Sequence, residues 1–166
     1  MIIRPALTEQ DILEAYTIER MVYPPEAAAS LEAFILRSDK FGTYFLVAET
    51  SPNEIAGVTN GVRLPHMHLA DDSIKQAAEF TVDGAYFCVL TIAVHPKHQR
   101  KGIASTLLQH VIQQAQKDQL KGIILMCEEH LISFYEKHGF RYDSPSSSAH
   151  GGIQWHEMSL IWEAGK

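Results

Sequence analysis

Residues 85–127 read AYFCVLTIAVHPKHQRKGIASTLLQHVIQQAQKDQLKGIILMC, and their pattern decides the architecture. The first ten are almost all apolar, as in a strand covered on both faces. After Gly102, apolar residues fall at 103, 104, 107, 108, 111, 112 and 115, the spacing of an amphipathic helix. GIILMC, residues 122–127, is again short and apolar, as a second buried strand would be. Strand, helix and strand in that order imply a right-handed crossover and parallel pairing.

Working outward, MIIRPA at the N-terminus reads as a first strand. LTEQDILEAYTIERMVY has Leu13, Tyr16 and Arg20 at helical steps, with Ile12 and Ala15 beside them. Thr8 with Asp11 resembles a capping pair at its start, with Asp where Glu or Gln is usual. YPPEAAAS ends that helix, because proline removes a donor and restricts the residue before it. A second helix is expected from Ser30 through LEAFILRS. TYFLVAE and EIAGVTNGVRL read as strands joined across the turn TSPN. Residues 65–84 fit either a short helix around Ile74 to Phe80 or a loop. Beyond the deciding stretch, HLISFYEKHGF is a short helix terminated by Gly139. PSSSAHGG is a flexible connection, and IQWHEMSLIW alternates into a last strand. No repeat or linker divides residues 1–166, so one α/β three-layer domain with a mixed sheet is expected.

Composition narrows the partners. The chain has 166 residues and a formal charge of −6, with 46% hydrophobic and 20% charged residues. That balance argues against broad nucleic-acid binding, which needs a basic face. No run of about 20 apolar residues is present to cross a bilayer, and MIIRPALTEQD lacks a secretory signal's apolar stretch. Cys88 and Cys127 have no metal-type spacing. These features read as a cytoplasmic protein with reduced thiols.

Against that acidic background, Lys97, Arg100 and Lys101 fall within five positions just before the helix that follows Gly102. Unpaired N–H groups at a helix start bind phosphate well. Gly102 lets the backbone approach a ligand, Ala104 keeps the next turn small, and Ser105 adds a hydroxyl. A solvated basic turn is the competing reading. Neither the P-loop pattern nor the dinucleotide glycine pattern is present.

VHPKHQRKGIASTLLQHVI, with Gln99-x-x-Gly102-x-Ala104, resembles the acetyl-CoA pyrophosphate loop of the GNAT-type N-acetyltransferases. ILMCEEHLISFYEKHGF, which carries Phe134 and Tyr135, resembles the segment that places a tyrosine beside the cofactor sulfur. More narrowly, MCEEHLISFYEKHGF, AYTIERMVY and GGIQWHEMSL are similar to stretches of the arylalkylamine (serotonin) N-acetyltransferase group. The resemblance spans most of the chain, strongest over 89–142 and weakest over 65–84. It implies a three-layer α/β/α domain with a mixed, partly splayed sheet and acetyl-CoA as acetyl donor. It further implies that backbone groups of Ile92, Ala93 and Val94 hold the pantetheine arm. The amides of Arg100, Lys101, Gly102, Ile103, Ala104 and Ser105 would hold the pyrophosphate. Some relatives are monomers and others pair through their sheets, so a monomer or a homodimer is implied.

The implied reaction is direct attack of a primary amine on the thioester. An alkylammonium has a pKa of about 10.4, so a base or proton wire is useful. A backbone amide near Ala93 would polarise the carbonyl. Tyr135 is the candidate acid for the leaving thiolate, against the plainer reading of an aromatic packed on the sheet. Vertebrate arylalkylamine enzymes carry a His-x-His pair where this chain has Cys88 and Leu90. Glu26, then Glu19, are the candidate bases, against the plainer reading of surface carboxylates. The remaining features have plain readings. His66 and His68 alternate in a loop without a third metal ligand, His95 sits in a turn, and His150 and His156 lie near the last hairpin. Cys127 is an apolar filler, while Glu128 and Glu129 favour a helix start. The expected acceptor, a small or arylalkyl primary amine, has two rivals. One is a non-catalytic acyl-CoA-binding module, and the other acetylates a protein lysine or N-terminus.

Overall fold

The computed structural model describes residues 1–67, 80–148 and 150–162. The expected helix around Ile74 to Phe80 and the residue His68 therefore lie outside the described residues, apart from Phe80. Strands β1 (Ile2–Pro5), β2 (Leu46–Ser51), β3 (Glu54–Leu64), β4 (Tyr86–Val94), β5 (Gly122–Cys127), β6 (Arg141–Pro145) and β7 (His156–Ile161) form one sheet. Their order is β1-β2-β3-β4-β5-β7-β6. Of its pairs only β4 with β5 is parallel, as the crossover between them requires.

Helices α1 (Glu9–Val22) and α2 (Leu31–Lys40) cover one face of the sheet. Ala15, Ile18, Ala33 and Phe34 pack there on Phe45, Val47, Val58 and Val62. Helices α3 (Ile103–Lys117) and α4 (Ile132–Lys137) cover the other face. There Leu107, Leu108, Val111 and Tyr135 pack on Phe87, Val89, Ile123 and Leu125. The apolar positions expected along residues 103–115 are the ones α3 turns inward, with Ile103, Leu107, Leu108, Val111 and Ala115 buried. The capping pair also forms: Thr8 Oγ1 accepts from the Asp11 amide at 3.0 Å, and Asp11 accepts from the Thr8 amide.

Two local expectations change. TYFLVAE begins as a strand only at Leu46, because Gly42–Tyr44 coils into a 3₁₀ turn. That turn stacks Tyr44 on Phe87, with centroids 4.2 Å apart, and sends its hydroxyl to Asp118 at 2.6 Å. The connection read as flexible around PSSSAHGG contains a 3₁₀ turn at His150–Gly152. His150 Nε2 ties that turn to the Ala27 carbonyl at 3.1 Å.

Candidate active site

The two central strands separate. β4 and β5 pair from Tyr86↔Gly122 to Val89↔Leu125, yet β4 runs on to Val94 and β5 to Cys127. The divergence begins at a bulge. Asn60 pairs with Thr91 and Gly61 with Val89, leaving Leu90 as an extra residue in β4. Such an insertion bends and twists its strand. It also requires close approach: a Cβ on Gly61 would meet the Cys88 carbonyl oxygen at 1.9 Å.

A cavity of about 490 Å³ opens in the fork. Its wall contains Ile92, Ala93, Val94, Gln99, Arg100, Gly102, Ile103, Ala104, Ser105 and Phe134, joined by Val22, Tyr23, His98, Glu128, His130 and Leu131. The motif and strand residues named from the sequence thus meet in one place. Lys101 and Tyr135 are not among the lining residues, and Lys97 turns to a separate cavity beside Glu54 and His95.

Backbone direction within β4 is set by two contacts. The Tyr23 hydroxyl donates to the Ile92 carbonyl at 3.4 Å, and Gln99 Nε2 donates to the Val94 carbonyl at 3.2 Å. On the other side, the His95 amide donates to Ala56 of β3 at 2.8 Å. An extended strand alternates the direction of its peptide groups. Ile92 and Val94 therefore present their N–H and C=O groups to the fork, and Ala93 presents its own to β3. The amide near Ala93 that could polarise a carbonyl is that of a neighbour.

At the mouth of α3, Gly102 adopts φ 80° and Arg100 φ 66°, both left-handed. Left-handed residues in a turn gather successive N–H groups into an anion-binding concavity. A Cβ on Gly102 would meet nothing within 4 Å, so conformation and not space calls for glycine there. Ser105 is held by His138 Nε2 at 3.1 Å. Lys97, Arg100 and Lys101 are exposed and form no ion pair among the described residues. Free amides on β4, a concave amide cluster and unpaired cations together fit a thioester arm ending in phosphates.

The acid and base candidates separate sharply. Tyr135 is 3% exposed, edge-on to Phe134 and Phe140. Burial, then the neighbouring Tyr23 and Cys127, push its phenol well above the ordinary value. It sits behind the cavity wall with its proton retained at neutral pH. Tyr23 is raised as well, by burial and then by Glu19. Burial raises the Cys127 thiol to about 12, which suits the filler role read from sequence.

Glu26 is exposed on the α1–α2 connection and lines none of the cavities described here. Glu19 is fully buried, which corrects its reading as a surface carboxylate. It accepts from the Ala29 amide and, at 2.7 Å, from the Thr91 hydroxyl. Thr91 in turn accepts from Arg37 Nη1 at 3.2 Å, and Arg37 donates to Asn60 Oδ1 at 2.7 Å. Burial lowers the Arg37 guanidinium to about 10, with Glu19 opposing the shift, so it remains charged at pH 7. All four residues are fully buried. Held by these bonds opposite the Arg37 charge, Glu19 clamps the α1–α2 connection to β4.

Glu128 is the carboxylate that reaches the fork. It directly follows β5, half-buried in the cavity wall, with electrostatic reach to Tyr23 and Cys127. The helix-start reading of its sequence position missed this. The signal was present: Glu128 directly follows the apolar strand, and ligand sites in such sheets lie beyond the carboxyl ends of strands.

The forked sheet and the amide-rich mouth of α3 define an acyl-CoA transferase architecture. A model of the acetyltransferase (GNAT) family matches residues 8–140. The chain belongs to that family, which makes it an acyltransferase with acetyl-CoA as donor. Solved structures share the fold at low identity. The loading GNATL domain of CurA from Lyngbya majuscula superposes with a TM-score of 0.84 at 14% identity, covering 96% of each chain. The GphF GNAT-like decarboxylase in complex with isobutyryl-CoA gives 0.79 at 18% identity, covering 97% of this chain and 98% of its own. The ribosomal-protein-alanine N-acetyltransferase from Brucella melitensis gives 0.67 at 18%, covering 98% and 100%. No curated protein matches the chain in sequence. Among the described residues no helix is long and apolar enough to cross a membrane.

Proposed function

We propose that the protein is an N-acetyltransferase that moves the acetyl group of acetyl-CoA to a small primary amine by direct attack in a ternary complex. The observation that carries this reading is the convergence in one fork of the β4 peptide groups, the Gly102 mouth of α3 and a carboxylate just past the end of β5. The Ile92 and Val94 peptide groups hold the pantetheine arm, and the amides from Arg100 to Ser105 hold the pyrophosphate. Lys97, Arg100 and Lys101 attract the phosphates from solvent.

The amine approaches from the α1 side, past Tyr23, whose hydroxyl already rests on the Ile92 carbonyl. Glu128 takes the ammonium proton, directly or through water; Glu26 is too exposed for that step and Glu19 is committed to Ala29 and Thr91. The nitrogen lone pair then attacks the thioester carbonyl, and a fork-facing β4 amide stabilises the oxyanion. As the C–S bond breaks, Tyr135, turning past Phe134 from behind the cavity wall, gives its proton to the thiolate. The second proton of the attacking nitrogen returns through water to the phenolate. The buried Tyr135 phenol stays protonated at neutral pH, as a general acid must. The similarity to the arylalkylamine group supports an aromatic acceptor, with Glu128 serving where that group has its histidine pair.

The test is thiol release from acetyl-CoA with arylalkylamines, polyamines, aminoglycosides and lysine peptides in parallel. The expected result is amine-dependent release that falls about 100-fold in Tyr135→Phe with acetyl-CoA binding retained. Tight binding without release on any acceptor would support a binding module instead. Release with lysine peptides alone would support a protein acceptor.

A further inference from the structure

A second cavity, of about 360 Å³, lies between α1 and the connection to α2 and shares Tyr23 with the fork. Tyr16 and Arg20, one turn apart on α1, and Tyr23, the residue that caps its end, face it. Ala28, Ala29 and Ser30 close the opposite side. On the reading above, this is where the body of the amine rests while its nitrogen reaches past Tyr23.

The charge in this cavity has one sign. Arg20 is exposed, stands 5.8 Å over the Tyr16 ring and makes no ion pair among the described residues. No carboxylate is among the described lining residues. The nearest in sequence are Glu19, which faces the interior and is bound to Ala29, Thr91 and the field of Arg37, and Glu26, exposed beside Pro25 and outside the lining. A polyamine or aminoglycoside would therefore bring further positive charge to an unpaired arginine. Like charges brought together in this way weaken binding.

We infer that the acceptor is a primary amine whose body is aromatic and carries an anionic group several bonds from the nitrogen. Arg20 receives the anion as a charge-assisted, planar donor pair, the geometry guanidinium favours for carboxylate or phosphate. Arg20 lies about one helical turn, roughly 5 Å along the axis, from Tyr23. That separation keeps the anion away from the reacting nitrogen. The aromatic wall of Tyr16 and Tyr23 takes the planar part. This selectivity rests on the transferase reading and refines it from amines in general to anionic aromatic amines.

The probes are 4-(2-aminoethyl)benzoate, 2-phenylethylamine and spermidine. Binding to the CoA-loaded protein is read by calorimetry, and turnover by thiol release. The benzoate is expected to bind at least tenfold tighter than phenylethylamine, with spermidine weakest. Arg20→Gln is expected to erase that preference by weakening the benzoate about tenfold while leaving phenylethylamine within twofold. Selective binding without thiol release sinks the transferase reading and keeps the pocket's selectivity. Equal binding of benzoate and phenylethylamine, a preference for spermidine, or an Arg20→Gln loss spread over all three overturns the selectivity, whatever thiol release shows.

Discussion

The two walls of the fork are made by opposite means. The α3 wall is backbone: a left-handed glycine, the amides after it, and exposed cations that form no ion pair among the described residues. The α1 wall is side chains: Tyr23 in the fork itself and Tyr16 and Arg20 in the adjoining cavity, over a fully buried set of Glu19, Arg37, Asn60 and Thr91. A backbone wall tolerates changes of side chain and fails on changes of conformation. A side-chain wall behaves in the reverse manner. The buried set also brings together four elements, α1, α2, β3 and β4, so its failure should reach the whole fold.

The largest expected effect tests that last point. Arg37→Ala leaves the Glu19 charge enclosed without its counterpart, and breaking one side of a buried pair costs about 3–5 kcal/mol. Urea unfolding should show that loss with an unchanged slope. A loss under about 1 kcal/mol would mean that Glu19 finds water or a proton there, and the α1 wall would not depend on charge pairing. Next in size is the proton acceptor. Glu128→Gln should lower kcat/KM about 100-fold at neutral pH with acetyl-CoA affinity unchanged, whereas Glu26→Gln should stay within about twofold. Equal losses in the two variants would return the role to the connecting loop. Smaller again is the conformational test of the α3 wall. Gly102→Val forces a β-branched residue toward φ 80°, and acetyl-CoA should bind about tenfold more weakly. Gly102→Asn, which tolerates the left-handed region, should keep affinity within about threefold. A matching loss in both would point to a steric cause, although a Cβ there has open space.

The same contrast explains what was legible in the sequence. The α3 wall lies within residues 92–105, and its chemistry is local: a glycine, a helix start and basic neighbours. Periodicity gave the helix, and the two apolar runs gave the parallel strands and hence the site's end of the sheet. The α1 wall depends on residues 19, 37, 60 and 91, which only the fold brings together. Thr91 was further concealed by the bulge. Cys88 and Leu90 pack toward α1 and α2, and strict alternation would send Thr91 the other way. The extra residue instead keeps Thr91 on the α1–α2 face, where it meets Glu19. Arg37 reads as a surface cation in an amphipathic helix, and nothing local marks its partner. Tyr23 was read as part of a helix stop, because its hydroxyl contact lies 69 positions away.

The smallest predicted effect concerns a pair whose capping role was visible from the start. Asp11 accepts from both Arg4 Nη1 at 2.8 Å and Nη2 at 3.1 Å, and from the amides of Leu7 and Thr8. Arg4 above all, with those amides, lowers its pKa from 3.8 to about 2, against an opposing shift from burial. Because the folded value lies below the unfolded one, the unfolded chain binds more protons between them. The stabilisation is therefore complete above about pH 4 and drains away as pH falls toward 2. Asp11→Asn keeps an acceptor but no charge, and should cost about 1 kcal/mol at pH 7. Urea midpoints measured at about pH 7, 4 and 2.5 should bring the two proteins together at the lowest value, where the wild-type carboxylate is losing its charge. A gap that persists unchanged at about pH 2.5 would show that the cap acts by geometry alone. The two walls would then differ in burial but not in their use of charge at this end of α1.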